Sequence, residues 1–415
     1  MKKLTSVLIL ICLLFISGCS SLSAFFDDND SSESTSRLFN ESDSSVTMSI
    51  YPETEAYPFI GLFERPQYSV LTNRQKSMYI KMDNAIFAHK TGYIDLGDGS
   101  EGDVEIAFHA LLKDRPEYFW VPLSYTVSSV DLARQIMFAE TEDDWKYTLD
   151  ERLSKEKEIK NVLSTFISKV PNNLSEYERE LFAHDWLAEK LKYNYLAATY
   201  SSDECGDYSI EGAFLTEFSV CQGYAEAMQV LLYMLGINNT TVTGKTDGPH
   251  MWNIVNIDGD WYHLDVTSND TGDDSLHFLF NVTTEYLTRS IAIHQLLDTE
   301  GTTSIFSTWY NLFLPICTAT KENYYVKNSS YIASSDSAEA TIVSQICNAV
   351  RNGCSMVEFS FSPDMYFYFG RTDVKKTLNL EGCIKSANAE LESQQKIFLY
   401  KYGGLEDVSG FYISW

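Results

Sequence analysis

The spacing of apolar and polar residues is most informative between Glu211 and Asp270. After Cys221, apolar residues recur three and four positions apart, which is the period of a buried helix, and Gly236 marks its end. Two strand-like runs follow, MWNIVNI and DWYHLDVT, and Asp258-Gly259 between them is a hairpin turn signal. The pattern therefore predicts a helix that begins near Cys221, followed by an antiparallel hairpin.

The chain before this stretch reads as an N-terminal α/β region, 58–144, followed by the first helices of a catalytic domain, 145–300. Helical spacing runs over 73–89, 103–112 and 150–168, and FWVPLSYTV with ARQIMFAET predicts a β pair. The aromatic residues Tyr118, Phe119 and Trp120 could line a groove, but aromatics at a helix-to-strand junction are more typical of a core. Ser175 and Glu178 have the spacing of a capping box.

The chain after the hairpin predicts a strand and a short helix over HFLFNVTTEYL, then a connection, and then a small C-terminal α/β domain, 321–415. In that domain ENYYVKNSSYI looks extended, 336–352 helical, SMVEFSFS a strand, EGCIKSANAELESQ helical, and the last two runs strands. Its alternating Tyr and Phe residues could bind a glycan or a peptide, although a sheet core is the more typical role. The predicted fold class is α+β.

The first 57 residues predict export and anchoring. Lys2 and Lys3 precede an apolar run that is too short to span a bilayer comfortably, and Ile16-Ser17-Gly18-Cys19 follows. The tetrad resembles the lipobox of bacterial lipoproteins, which implies a signal peptide over 1–18 and lipidation of Cys19. A simple secretory signal with a chance cysteine is the alternative. Residues 19–57, rich in Ser, Asp and Glu, predict a flexible acidic tether.

The composition excludes some partners. The 415 residues carry 58 acidic and 31 basic side chains, a formal net charge of −27. Because phosphate contacts need clustered Lys and Arg, nucleic acid is not an expected partner. At 44% hydrophobic residues the chain has enough material for several cores.

The candidate chemistry lies in the helix and hairpin. At a helix start, Cys221 would meet unpaired backbone N–H groups and a dipole that favour the thiolate and can receive an oxyanion. With the turn at 258–259, His250 and Asp265 come within about two residues of facing each other, so the aspartate could orient the histidine as base. His263 is a rival base. His184, mid-helix, is expected to be structural or exposed.

These residues resemble the three motifs of the transglutaminase-like superfamily. The matching segments are VCQGYAEA, PHMWNIV and DWYHLDVT, in order over about 175–295. The resemblance implies a papain-like α+β core, with Cys221 as nucleophile, His250 as base and Asp265 as orienting acid, and no cofactor. Thr267-Ser268 departs from the aromatic residue that many bacterial members place after the threonine. A zinc site on the same three residues is an alternative, but no CxxC or HxxxH pair accompanies them.

The remaining cysteines leave disulfide pairing open. Apart from Cys12, Cys19 and Cys221, they are Cys205, Cys317, Cys347, Cys354 and Cys383. Five is an odd number, so at least one stays unpaired if Cys221 is free. An exported location permits disulfides, but their low density means that the fold does not depend on them.

Together these features predict a lipid-anchored cysteine enzyme on the extracytoplasmic face of a bacterial cell membrane. It would act on peptide-like amides through a thioester, as a peptidase, an amidase or a transglutaminase. Expected partners are a peptide or protein substrate, such as a cell-wall peptide, and the membrane through the N-terminal lipid. The alternative is a binding or scaffold lipoprotein of the cell envelope that keeps the fold without turnover.

Overall fold

The computed structural model describes residues 65–122, 124–130, 133–200, 206–270, 276–289, 294–296, 311–362, 365, 378–403 and 410–415. The predicted signal peptide over 1–18, the lipidated Cys19, the tether over 19–57 and Cys205 lie outside the described residues. Among the described helices, none has the length and the apolar composition that crossing a membrane would require.

The helices occur mainly in three groups: an N-terminal group, a group around Cys221 and a C-terminal pair. Their bounds are α1 (Pro66–Ser69), α2 (Asn73–Phe87), α3 (Glu101–Asp114), α4 (Leu149–Lys169), α5 (Glu176–Lys190), α6 (Tyr195–Tyr200), α7 (Cys221–Met234), α8 (Val266–Asn269), α9 (Thr284–Arg289), α10 (Tyr324–Lys327), α11 (Ser335–Arg351) and α12 (Leu380–Glu390).

The strands form separate sheets in the three regions. Their bounds are β1 (Ile94–Asp98), β2 (Thr126–Val130), β3 (Ala133–Met137), β4 (Lys192–Tyr193), β5 (Phe218–Ser219), β6 (Asn239–Lys245), β7 (Pro249–Ile257), β8 (Asp260–Leu264), β9 (Gln295–Leu296), β10 (Tyr331–Ile332), β11 (Met356–Phe361), β12 (Lys401–Gly403) and β13 (Gly410–Ser414). The described sheet orders are β1-β3-β2, β4-β5, β8-β7-β6-β9 and β10-β11-β13-β12. The β8-β7-β6-β9 sheet is antiparallel throughout. The predicted α+β class is confirmed.

Four of the longer helices begin with a capping box. In this motif a Ser or Thr side chain accepts the backbone N–H of the residue three positions on, and that residue's side chain accepts the backbone N–H of the Ser or Thr. The pairs are Thr72 with Gln75, Ser100 with Asp103, Thr148 with Glu151, and Ser175 with Glu178. These boxes satisfy N–H groups that a helix start otherwise leaves unpaired, so they set where α2, α3, α4 and α5 begin. The capping box predicted at Ser175 is confirmed.

A single hydrophobic cluster joins the N-terminal region to the helices that carry Cys221. It contains buried residues of α2 and α3 together with those of α4, α5 and α7. Tyr118, Phe119 and Trp120 belong to this cluster and are buried, so they are core residues and not a groove. Arg152 of α4 lies 3.6 Å from the centre of the Trp120 ring and pairs with Glu156. The N-terminal region therefore packs against the central helices and supports them.

Two local predictions are wrong. In HFLFNVTTEYL, residues 277–283 form turns with one isolated bridge, between Val282 and His263, and no strand. Their backbone instead bonds side chains and loops, as when Leu279 N–H donates to the Asn269 side chain. In ENYYVKNSSYI, the first residues form α10, because the Asn323 side chain accepts from the backbone N–H groups of Tyr325 and Val326 and starts a helical turn.

A buried charged cluster connects the central region to the C-terminal sheet. His277 places Nδ1 2.8 Å from Oε1 of Glu358 on β11, and Nε2 2.9 Å from Oδ1 of Asp185 on α5. Its ring stacks on Tyr324 with centroids 3.9 Å apart. Burial alone would lower the pKa of His277, but Glu358 and Asp185 outweigh burial and raise it to about 9. The imidazolium therefore bridges two carboxylates on separate elements.

The pKa of His277 sets a pH window for stability. A raised pKa means that the stabilisation is complete below the ordinary value of ~6.5 and is lost as pH rises through about 9. We expect Glu358→Gln to lower the free energy of unfolding by on the order of 3 kcal/mol at pH 6 and by much less at pH 9.5. Urea unfolding at the two pH values measures this, with the exposed Asp143→Asn as control. An equal loss at both values would contradict it.

Candidate active site

Cys221 is the first residue of α7, and a short parallel pair of strands precedes it. Strand β5 pairs in parallel with β4, with Tyr193 opposite Ser219, and this short ladder leads directly into the helix. The N-cap residue Val220 makes no side-chain cap, and valine has no acceptor with which to do so. The first N–H groups of α7, at the position of the thiol, therefore receive no side-chain cap from the residue before them.

Close packing holds this helix start in place. A Cβ added at Gly223 would lie 2.0 Å from the Ser219 hydroxyl and within 2.9 Å of the backbone oxygens of Asp207 and Ser209. The Ser219 hydroxyl cannot easily move away, because it donates to the Asp207 carbonyl at 2.8 Å. Only glycine allows this approach, so the third residue of α7 fixes how the helix sits on the preceding loop.

The hairpin that carries His250 and Asp265 has the predicted turn. Asp258 and Gly259 have φ angles of 52° and 93°, the left-handed region that a two-residue turn of this kind needs. The register pairs Ile257 with Asp260 and Asn253 with Leu264, so Asp265 comes directly after β8 and lies diagonally across from His250. Asp265 then caps α8, its Oδ1 accepting the Ser268 N–H at 3.1 Å.

The three predicted site residues are brought together. Nε2 of His250 lies 2.8 Å from Oδ2 of Asp265, and Cys221 lies close enough to the His250 ring to affect its pKa. Because Nε2 is held by Asp265, Nδ1 is the nitrogen that remains to face the thiol. Burial alone would lower the pKa of His250, but Asp265 and Cys221 outweigh burial and raise it to about 10. The His250 ring therefore lies between the Cys221 side chain and a buried carboxylate.

The ring nitrogens of His263, the alternative base, both lie in other hydrogen bonds. The Trp252 indole N–H donates to its Nδ1 at 3.1 Å, so that nitrogen carries no hydrogen. Its Nε2 lies 3.0 Å from the Thr284 hydroxyl. Burial lowers the pKa of His263 to about 3, with a further contribution from His294. A fully buried ring whose Nδ1 lone pair is already used by Trp252 has no free lone pair with which to act as a base, so His250 is the base that the geometry favours.

Sequence reasoning did not identify His294. It lies just before β9, which pairs with the outer edge of β6, and the ring is fully buried with Nε2 2.8 Å from Oδ2 of Asp265. The Trp252 ring contacts the rings of both His250 and His294. A Cβ at Gly244 would lie 2.4 Å from that tryptophan, so a glycine is required there. No motif or spacing in the sequence signals this histidine.

Two groups of described residues have the composition of a metal site, His250 with Asp265 and His294, and His184 with Asp185 and His277. In both groups the hydrogen bonds indicate a hydrogen-bond network and not a metal site. A metal-ligating histidine normally donates its other N–H to an acceptor, yet Nδ1 of His294 has no partner among the described residues. His184 Nε2 lies 3.0 Å from the Asn269 amide nitrogen, and Leu279 N–H fixes that amide's orientation.

The second group also settles the position of His184. Since its Nε2 accepts from Asn269, its Nδ1 carries the hydrogen and donates to Oδ1 of Asp185 at 2.9 Å. The ring is fully buried, and burial lowers its pKa. His184 is therefore a structural residue of the charged cluster at His277, and it is not exposed.

A cysteine at a helix start, facing a histidine and aspartate on an antiparallel hairpin, defines the papain-like and transglutaminase-like class of folds. Residues 164–266 match the family model of the transglutaminase-like superfamily. The resemblance drawn from the motifs is thereby confirmed for this segment. No curated protein matches the chain.

Solved structures similar to the chain share only part of it. They include a TGase, 15% identical, covering 37% of this chain and 46% of its own, with a TM-score of 0.26. A cysteine protease candidate from Cytophaga hutchinsonii is 17% identical, covering 34% and 61%, with a TM-score of 0.22. A protease candidate from Parabacteroides distasonis is 12% identical, covering 34% and 35%, with a TM-score of 0.21. The chain thus spans less than two thirds of each.

The packing at Gly223 can be tested directly. We expect Gly223→Ala to destabilise the protein by about 1–3 kcal/mol, because the new methyl group overlaps the Ser219 hydroxyl and two carbonyl oxygens. Gly102→Ala is the matched control, since its Cβ would meet nothing closer than 3.8 Å and α3 should gain up to about 1 kcal/mol. Thermal unfolding of both variants measures the difference. Equal stability of the two variants would show that α7 does not depend on this contact.

Proposed function

We propose that this chain is a cysteine acyl-transfer enzyme that acts on peptide-like amides through a thioester on Cys221. The observation that carries the proposal is the grouping of Cys221, at the start of α7, with His250 and the Asp265 carboxylate that His250 bonds at 2.8 Å. A thiolate paired with an imidazolium is a nucleophile near neutral pH, and a buried carboxylate keeps the ring in the orientation that the reaction needs.

In the first half-reaction the Cys221 thiolate attacks the amide carbonyl carbon. A C–S bond forms, the carbonyl electron pair moves to oxygen, and the oxyanion accepts hydrogen bonds from backbone N–H groups at the start of α7. The C–N bond then breaks as His250 delivers its proton to the leaving amine. A thioester on Cys221 and a neutral His250 remain, and Asp265 keeps the ring turned toward the site.

In the second half-reaction a nucleophile attacks the thioester carbonyl while His250 takes its proton. Collapse breaks the C–S bond and restores the thiolate and the imidazolium. Water as nucleophile gives hydrolysis, and an amine gives transamidation. Both outcomes use the same residues, and we favour hydrolysis of a peptide-like substrate because water is abundant outside the cell. The lipid anchor and the extracytoplasmic location are proposed from the N-terminal sequence.

Site-resolved alkylation tests whether Cys221 is activated. With iodoacetamide and peptide mapping of the full chain, we expect Cys221 to react at pH 6 at least about 100-fold faster than in His250→Ala, because the imidazolium holds the thiolate. Cys354 is free and exposed, so it serves as the reference thiol in the same sample. Cys317, Cys347 and Cys383 are free and buried and should remain unlabelled.

Turnover is tested by acid-quenching the protein with a mixture of peptides and weighing the adduct on Cys221. We expect a thioester mass on the wild-type chain and none on Cys221→Ala, and an added amine separates transamidation from hydrolysis. Slow alkylation of Cys221, together with no adduct from any peptide, would overturn the proposal. That result would favour a binding or scaffold protein that keeps the fold.

The proposed anchor has its own test. We expect Cys19→Ala to prevent lipidation, so that the protein expressed in a bacterial host moves from the membrane fraction to the soluble exported fraction. Mass spectrometry of the N-terminal peptide should show an acylated Cys19 in the wild type. An unmodified cysteine at position 19 in the mature wild-type protein would contradict the lipobox and favour a simple secretory signal.

A further inference from the structure

The Asp265 carboxylate is buried and carries more donors than a histidine–aspartate pair needs. Its Oδ2 accepts from Nε2 of His250 at 2.8 Å, Nε2 of His294 at 2.8 Å and the Ser268 hydroxyl at 2.6 Å. Its Oδ1 accepts from the Ser268 backbone N–H at 3.1 Å. The carboxylate therefore accepts four hydrogen bonds, three of them at Oδ2.

His294 contacts Asp265 through one ring nitrogen only. Its Nδ1 is buried without a hydrogen-bond partner among the described residues. A hydrogen on that nitrogen would be buried and unpaired, which costs free energy. Nε2, which lies 2.8 Å from Oδ2 of Asp265, is therefore the nitrogen that donates to the carboxylate.

The proton shared by His250 and Asp265 has two possible positions. On His250 it gives an imidazolium beside a carboxylate, and on Asp265 it gives a neutral ring beside a neutral acid. A buried site by itself favours the neutral arrangement, because separated charges lose their hydration. Only the charged arrangement stabilises the Cys221 thiolate. Each extra donor to the carboxylate favours the charged arrangement, because a hydrogen bond stabilises the negative charge more than the neutral acid.

We propose that His294 is a positioning residue that keeps the shared proton on His250 by holding Asp265 as the anion. The proposal rests on the reactive Cys221–His250 pair described under the proposed function. The pKa of Asp265 agrees with it: burial would raise this pKa, yet His250 and His294 bring it well below its ordinary value. Through Asp265, a residue from the edge of the sheet controls the reactivity of the thiol.

Other ionisable groups face this carboxylate from the surrounding elements. His250 on β7 and His294 before β9 contact it directly, and Cys221 on α7 acts through His250. Tyr193 on β4 interacts electrostatically with both Asp265 and Cys221. His263 on β8 interacts with His294 and is neutral. The described surroundings hold no second carboxylate in hydrogen-bond contact with His250, so the position of the shared proton depends on the donors to Asp265.

The test compares His294→Leu with His294→Gln, which are close in volume and differ in having a donor. The readout is the pH dependence of iodoacetamide alkylation at Cys221 in the full chain. We expect His294→Leu to slow alkylation at pH 6 about tenfold or more and to move the profile to higher pH, because one hydrogen bond to a charged group is lost. His294→Gln should recover most of the rate, since its amide N–H can replace Nε2–H.

The controls distinguish this inference from the function on which it rests. Gln295→Ala changes an exposed neighbour and should leave the profile unchanged, and Cys354 reports the reagent in each sample. Asp265→Asn should slow alkylation at least as strongly as His294→Leu. If His294→Leu fails to fold, Ser268→Ala removes another donor to the same oxygen and should shift the profile in the same direction.

Each outcome of these experiments supports or overturns the role of His294. A wild-type profile in His294→Leu, with Asp265→Asn slowed, would overturn the role of His294 while leaving the reactive pair intact. Equal loss in the Leu and Gln variants would show that the ring acts by packing alone, which also overturns it. If the wild-type Cys221 is itself unreactive at pH 6, the proposed function fails first.

Discussion

A carboxylate without access to water is the constraint on which the rest of the site depends. Asp265 is 1% exposed, and an ion in such a position is stable only when hydrogen bonds replace its lost hydration. Those bonds come from β7, from the start of α8 and from the segment before β9. The hairpin, the short helix and the edge strand are thus held in one arrangement by a single charged group.

The helix that carries Cys221 is held against the sheet by hydrogen bonds of buried amide side chains. Helix α7 lies against β7, and the Asn253 side chain on that strand donates to the Ala225 carbonyl at 2.9 Å. The N-terminal region supports the same helix, because the Gln229 amide donates to the Lys113 carbonyl at 2.9 Å. Asn311 bonds the backbone of Thr243 on β6 and the Lys113 ammonium. Buried amides therefore fix the distance between the helix and the sheet.

The C-terminal sheet joins the central region through a second charged network that has a different purpose. His277 has both ring nitrogens against carboxylates, and its ring is covered by Tyr324. There the imidazolium is a connector between elements, whereas at His250 it faces a thiol. The two clusters have the same residue types at similar distances, and what separates their roles is whether a nucleophile lies beside the ring.

Much of the site could be predicted from the sequence, because it depends on local patterns. Helix period, a glycine after the last turn and the Asp258-Gly259 pair predicted α7 and the hairpin, and the length of the hairpin set the offset between His250 and Asp265. The segment 277–283 and the start of α10 were predicted wrongly. The backbone of the first segment bonds side chains from other parts of the chain, and short-range periodicity carries no information about such partners. The start of α10 depends on a local cap, Asn323, which the spacing of apolar residues does not show.

The sequence by itself determined which residue types stand at a helix start and on a hairpin, since both are local features of spacing and turn chemistry. Only the tertiary structure decided which histidine is free to act. Both ring nitrogens of His263 lie in hydrogen bonds, with Trp252 and with Thr284. His184 is buried against Asn269, and His294 contacts Asp265, which is 29 residues away in the chain. The physical reason is that the protonation of a buried ring depends on its hydrogen-bond partners in space.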